Sequence, residues 1–539
     1  MKLTDILSGQ FNAAEWEAKG YQLPKFDIKA VREKTAKEPT WVHFGGGNIF
    51  RAFPAAILND ALNTGKYDRG VIVAETFDFE VIDKAYAPYQ NLSLCVNLCS
   101  DGSIEKKVIA SVTEALKADP QFPDWQRLVE IFRNPSLQMI SFTITEKGYT
   151  YNEADLARGL SPLFAMGKVC ALLYERFQAG DPGQPGNAGN SGLPLTIQSM
   201  DNCSHNGDKV KAGIMAYAER WLNDGLVPAA FLDYLRDETK ITFPWSMIDK
   251  ITPRPHEKVK ELLAQDGFED NNYIETEKHT FTAPFVNAEE VQYLVIEDHY
   301  TNGRPPLDLG GALYTTRETV DKVETMKVTT CLNPLHTAMS IYGCMLGYTL
   351  ISAEMADEDL RPFIQKIGYM EAMPVVVDPG VLNPYEFIGA VINRRLPNPF
   401  MPDAPQRIAM DTSQKLPIRF GETIKKYLAR GLDKSNLVLI PLTLAGYARY
   451  LKGLKDDLTP FEPSPDPMLA ELQAIVAPLE IGKPEQDWSC LRQLYSRKDV
   501  FGLDLYEAGL GEQIEGMVRE LYAGQGAVRA TLHKYVAAR

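Results

Sequence analysis

A lysine, an asparagine and a histidine stand within ten residues in KVTTCLNPLHTAMS, residues 327–340, with Pro334 between the last two. Lys327, Asn333 and His336 are residue types that suit carbonyl–alcohol redox chemistry without a metal. A lysine in a partly desolvated pocket has a lowered pKa and can give or take the proton of a reacting hydroxyl. An asparagine amide can donate to a developing oxyanion, and a histidine can fix a neighbouring hydroxyl. The same residues also fit an ordinary helix start. Lys327 is then solvated, Asn333 is an N-cap with Pro334 at the first helical position, and His336 is an interior residue. Spacing alone favours that plainer reading.

The elements that would have to serve such a set begin near the N-terminus. TWVHFGGGNIFRAFPAAILNDAL starts with an apolar β-favouring run, Trp41 to Phe44. Three glycines follow, and then apolar residues at helical spacing: Ile49, Phe53, Ala56, Ile57 and Ala61. A strand, a tight glycine turn and a helix start form a phosphate cradle, because glycine admits the pyrophosphate and free N–H groups favour negative charge. Gly45 and Gly47 fit G-x-G-x-x-G, but Phe50 stands where the third glycine belongs. The next strand, GVIVAET, ends at Glu75. An acid there can accept from an adenosine ribose and repel a 2′-phosphate, which favours NAD over NADP. A bare strand–turn–helix and a solvated carboxylate explain each feature equally well when taken singly.

Two later strands also end in polar clusters. LQMISFTITEKGY runs into Thr145, Glu146 and Lys147, and LPLTIQSMDNCSHNG runs into Asp201, Asn202, His205 and Asn206. Ligands of open parallel sheets bind at the carboxyl ends of strands, so these endings together predict one cleft. From about residue 310 onward the apolar spacing is helical, as in LHTAMSIYGCMLGYTLISAEM and AVRATLHKYVAA. The expected fold is therefore an α/β Rossmann-type N-terminal domain, residues 1–300, plus a mainly α-helical C-terminal domain, residues 301–539.

The whole chain bounds the function class. Its 539 residues exceed what one core organises. A net charge of −15 argues against nucleic acid and anionic membrane surfaces, which want basic patches. No apolar run is long enough to span a bilayer, and the first residues lack a secretory signal pattern. Seven scattered cysteines without zinc-ligand spacing suggest reduced thiols in a cytoplasmic protein. The stretch GDPGQPGNAGNSGLP, 180–194, reads as a surface loop. No feature specifies an oligomeric state.

The ordered blocks GGGNIFRAF, TITEKGY, SMDNCSHNG, FPWSMIDKITP, LVIEDHYTNGRPP, KVTTCLNPLHT, RRLPNP and RIAMDTSQKLPIRF resemble the polyol-specific long-chain dehydrogenases, the mannitol dehydrogenase family. The resemblance runs from about residue 40 to 430. It implies an NAD-binding first domain, a helical second domain and metal-independent catalysis by lysine on a small-molecule sugar acid or polyol. Lys327 then resembles the catalytic acid/base, Asn333 and His336 the oxyanion-stabilising and substrate-orienting pair, and Asn202 the asparagine assisting at the reacting oxygen. Asp249 and Arg395 resemble substrate-site residues. Gly45, Gly47, Asn48, Ile49, Arg51, Glu75, Thr145 and Glu146 fall on the cofactor side. TEKGY, NGRP and IAMDTSQKLP are most similar to the hexuronate-reducing members, which implies interconversion of D-fructuronate and D-mannonate. Tagaturonate or fructose is the alternative substrate, and a nucleotide-binding protein without turnover is the alternative of another class. Lys147 adds a cation suited to a substrate carboxylate.

One departure from the family has a structural consequence. The family spaces lysine to asparagine by five and lysine to histidine by eight; here the gaps are six and nine. At ~100° per residue, nine residues put Lys327 and His336 roughly 180° apart, whereas eight leave about 80°. The sequence therefore predicts a bulge or break within 328–334. Pro334 assists it, because it cannot bond the Thr330 carbonyl and its ring pushes that carbonyl aside.

Overall fold

The structure, a computed structural model, describes residues 1–8, 11–180 and 192–539. Most of the expected 180–194 loop lies outside the described residues. The chain divides into two compact units, Met1–Cys99 with Ser103–Asp321, and Lys322–Arg539 with Ser100–Gly102. The division falls later than 300/301 because the segment after 300 returns to a separate three-stranded sheet of the first unit. There Leu313–Thr315 pairs in parallel with Tyr293–Glu297.

The first unit is built on a six-stranded parallel sheet: β1 (Trp41–Phe44), β2 (Val71–Glu75), β3 (Val112–Lys117), β4 (Met139–Phe142), β5 (Leu195–Ser199) and β6 (Ile241–Thr242). The spatial order is β3-β2-β1-β4-β5-β6, all parallel. Strand order reverses between β1 and β4, the switch point where nucleotides bind in doubly wound sheets. β1, β2, β4 and β5 are buried on both faces, as their continuous apolar runs require.

The helix after β1 comes in two pieces, α1 (Asn48–Ala52) and α2 (Pro54–Asn63), rather than the single run that periodicity suggests. Pro54 has no N–H to continue the ladder, and Phe53 departs from helical geometry at φ −130°, ψ −78°.

The second unit is mainly helical. Its core packs α3 (Asn333–Leu346) against the helix Leu439–Tyr450, which in turn packs on Gly511–Leu521. α3 ends at Gly347 in the left-handed conformation, the usual stop for a helix. Four wide turns of π type interrupt these helices, at Lys327–Cys331, Ile367–Ala372, Val391–Arg395 and Pro417–Gly421. Three of the four carry Lys327, Arg395 or Arg419. Such turns cluster at functional sites, since each re-aims the side chains that follow. No helix among the described residues is long and apolar enough to cross a membrane.

Candidate active site

In the first unit, the loops after β1, β2 and β4 line a cavity of about 640 Å³. Gly45, Gly47, Glu75, Asp78, Thr145 and Lys147 face it. Gly45 cannot be replaced within this backbone. It sits at φ +106°, and a Cβ there would lie 2.3 Å from the Thr143 carbonyl oxygen just past the end of β4. A Cβ on Gly47 would meet nothing within 4 Å, so the space above that backbone is open. One tight turn and one open approach are what a pyrophosphate needs. The third fingerprint glycine is absent because an aromatic pair packs instead. The Phe50 ring stacks on buried His43 at 4.2 Å, and His43 bonds the Ser141 and Thr143 hydroxyls.

Glu75 has a structural task. One carboxylate oxygen accepts from the Gly46 N–H at 2.8 Å, and the other accepts from the N–H groups of Thr76, Phe77 and Asp78. The acid thus fastens the glycine turn to the end of β2 while lining the cavity. Behind it, buried Lys168 donates to the Thr76 carbonyl and pairs with Asp119 at 2.9 Å. No sequence motif marked Lys168; an apolar helix, Ala165–Ala179, carries it.

The loop after β4 is strained. Thr145 holds φ +68°, ψ 158°, a conformation that costs a β-branched residue about 1–3 kcal/mol. Asp201 maintains it, accepting from the N–H groups of Ile144 (2.9 Å) and Thr145 (3.2 Å) and from the Tyr149 hydroxyl (2.5 Å). Burial pushes the Asp201 carboxyl up and these three donors oppose the rise. Glu146 pairs with Lys209 on the exposed side. Lys147 lines the cavity, and its ammonium has no acidic partner among the described residues.

Arg51 is buried and braces the fold: its guanidinium donates to the Ala283 carbonyl, to Asn48 and to the Thr282 hydroxyl. Those bonds tie α1 to the 282–283 segment. Asn48 accepts from both Arg51 and Thr282, and Ile49 packs partly on the core, so neither lines the cavity. Asn202 is exposed in the turn after β5, while Asn206 is buried and joins that turn to Ser246. Asp249 is buried at the end of the strand Ser246–Asp249.

In the second unit, the predicted break in KVTTCLNPLHT is present. Lys327–Cys331 forms a wide turn closed by the Leu332 N–H, which donates to the Lys327 carbonyl at 3.1 Å. α3 then starts at Asn333 with Pro334 in its first turn. The Thr423 hydroxyl donates to the Thr329 carbonyl at 3.3 Å, so part of the distorted ladder is satisfied from outside. Absorbing one residue returns Lys327 and His336 to roughly the 80° separation that a gap of eight implies.

The Lys327 side chain is buried, as is Arg395 at the end of its own wide turn. His336 Nε2 is buried without a hydrogen-bond partner among the described residues, 3.9 Å from an Asp403 carboxylate oxygen. Burial pushes the imidazole pKa down to about 4, Asp403 opposes this, and Arg419, Arg407 and Arg395 reinforce it. A neutral ring with an unpartnered buried nitrogen is suited to hydrogen-bond a ligand hydroxyl. No local sequence pattern ties Asp403 or Arg419 to His336, since they lie 67 and 83 positions away.

Two family models match this chain, the mannitol dehydrogenase Rossmann domain over residues 39–309 and the mannitol dehydrogenase C-terminal domain over 319–522. The chain belongs to the mannitol dehydrogenase family. A D-mannonate oxidoreductase of Thermotoga maritima is 51% identical over 537 residues, covering 97% of each chain. A mannitol 2-dehydrogenase of Cereibacter sphaeroides is 27% identical, over 96% of this chain and 98% of its own. Among solved folds, a Pseudomonas fluorescens mannitol 2-dehydrogenase in ternary complex with NAD and D-mannitol superposes with a TM-score of 0.67. It is 22% identical, with 98% of this chain and 100% of that chain covered. As a mannitol dehydrogenase family member, the chain is an oxidoreductase with a Rossmann first unit and a helical second one.

Proposed function

We propose that the protein is a cytoplasmic NAD-dependent oxidoreductase interconverting D-fructuronate and D-mannonate. The full-length likeness to a D-mannonate oxidoreductase carries the substrate reading. NAD fits the first unit, where an open glycine turn adjoins a cavity with an acid, Glu75, in its wall to disfavour a 2′-phosphate.

When bound, the nicotinamide supplies hydride to the ketone carbon or accepts it from the alcohol. Lys327 gives a proton to the ketone oxygen on reduction and removes it on oxidation. Its burial on the wide turn keeps competing water away from the ammonium. Asn333 donates its amide N–H to the same oxygen as charge develops, with Asn202 assisting. His336 Nε2 takes a neighbouring substrate hydroxyl, and Arg395 and Asp249 hold the remainder of the sugar chain.

The test is oxidation of NADH and NADPH against fructuronate, tagaturonate and fructose side by side. NADH with fructuronate is expected to lead in kcat/KM, and Lys327→Ala to lower kcat by about 10²–10⁴-fold. A preference for another keto sugar would reject the substrate. NADH binding with no turnover of any of the three would favour a nucleotide-binding protein instead.

A further inference from the structure

A hexuronate differs from a neutral ketose by one carboxylate, and its receptor should be a cation without a protein counter-charge. Arg419, Arg407 and Arg395 bear on the His336 ring, and Arg395 is already engaged within the protein. Arg407 pairs with Asp403. Lys415 donates its ammonium to the carbonyls of Ile408 and Met410. Arg419 is different. It stands in the wide turn Pro417–Gly421, which packs against both the Lys327 turn and α3. Its Nη1 donates to the Thr337 hydroxyl and reaches the Asn333 carbonyl at 3.4 Å. Among the described residues its Nε and Nη2 have no hydrogen-bond partner, and no carboxylate pairs with the guanidinium. The group is largely desolvated all the same, and burial alone pushes its pKa down to about 10.

A half-buried cation without a counter-charge is costly to a fold, and the cost is removed when an anion arrives. The open Nε–Nη2 edge is a planar fork that matches a carboxylate with two parallel N–H···O bonds. The anchored Nη1 holds that fork beside the helix start that carries Asn333 and His336. We propose that Arg419 is the receptor for the substrate carboxylate and so sets the preference for a hexuronate. This rests on the hexuronate reading of the site. It moves the carboxylate contact away from Lys147, which lines the nucleotide cavity of the first unit.

The test is steady-state kinetics of the full chain with NADH and fructuronate for wild type, Arg419→Gln, Arg419→Lys and Lys147→Gly. Loss of a two-point charged contact predicts a rise in fructuronate KM of about 10–100-fold for Arg419→Gln. KM for NADH and kcat should stay within about three-fold, the limit for a change confined to substrate binding. Arg419→Lys keeps the charge but loses the fork, so its KM should also rise; it carries the test if the glutamine variant does not fold. Three results would overturn the proposal. An unchanged KM in both Arg419 variants rejects it outright. A fall in kcat with KM constant makes Arg419 a positioning residue for α3. A KM effect in Lys147→Gly alone assigns the carboxylate to Lys147. If wild type turns over no hexuronate, the substrate reading fails and takes this proposal with it, a result separable from the other three.

Discussion

The Leu332 N–H donates to the carbonyl of Lys327, five residues back, at 3.1 Å. That single bond marks where the chain accommodates one residue more than its family spacing between lysine and histidine. Both ends of the motif keep their roles only if the extra residue is absorbed before α3 begins.

Deleting Val328 should therefore be tolerated. The deletion restores gaps of five and eight and allows a regular helical turn, so kcat should stay within about ten-fold of wild type. Kinetics of the deletion variant would check this. A loss as large as that of Lys327→Ala would mean that the wide turn itself, and not the spacing, aims the lysine.

The two fingerprint glycines should fail differently. Gly45→Ala forces a methyl into the Thr143 carbonyl at a positive φ, so both stability and NADH binding should fall, the former by more than about 1 kcal/mol. Gly47→Ala meets no protein atom and should melt like wild type. Its methyl would project into the open approach, so the Kd for NADH should rise about ten-fold or more, since close backbone approach is what the glycine supplies. Melting curves and fluorescence titration separate the two effects.

Asp201→Ala should release the loop that holds Thr145. Three donors lose their shared acceptor, which predicts a loss of about 1–3 kcal/mol. Because Thr145 then relaxes toward negative φ, NADH affinity should fall more than fructuronate affinity. Urea unfolding together with separate KM values for the two substrates reads this out.

His336 predicts a pH effect on stability. Its folded pKa is about 4, below the ~6.5 of an unfolded imidazole, so the unfolded chain binds more protons between those values. The stabilisation is complete above pH 6.5 and is lost as pH falls toward 4. Between pH 7 and 4.5, wild type should lose on the order of 2 kcal/mol more than His336→Asn. Equal pH slopes for the two proteins in urea unfolding would show that the ring is not held neutral.

What the sequence by itself determined follows from local pattern. Apolar runs ending in glycine or polar clusters marked β1, β2, β4 and β5, because a strand buried on both faces leaves no other composition available. The surplus residue and Pro334 foretold the turn at 327–331, because backbone hydrogen bonding is counted over five residues and needs no distant partner. The block order marked the family and, with it, Lys327, Asn333 and His336. Tertiary structure decided the rest, since it depends on which distant groups share a volume. Arg51 reads as a cofactor residue beside the glycines, yet a segment some 230 positions away claims its guanidinium. Asp201 becomes the keeper of Thr145 only when β5 lies beside β4. Arg419 is one arginine among many in the sequence. Its open edge exists because folding gives Nη1 the Asn333 carbonyl and the Thr337 hydroxyl and, among the described residues, brings the guanidinium no carboxylate.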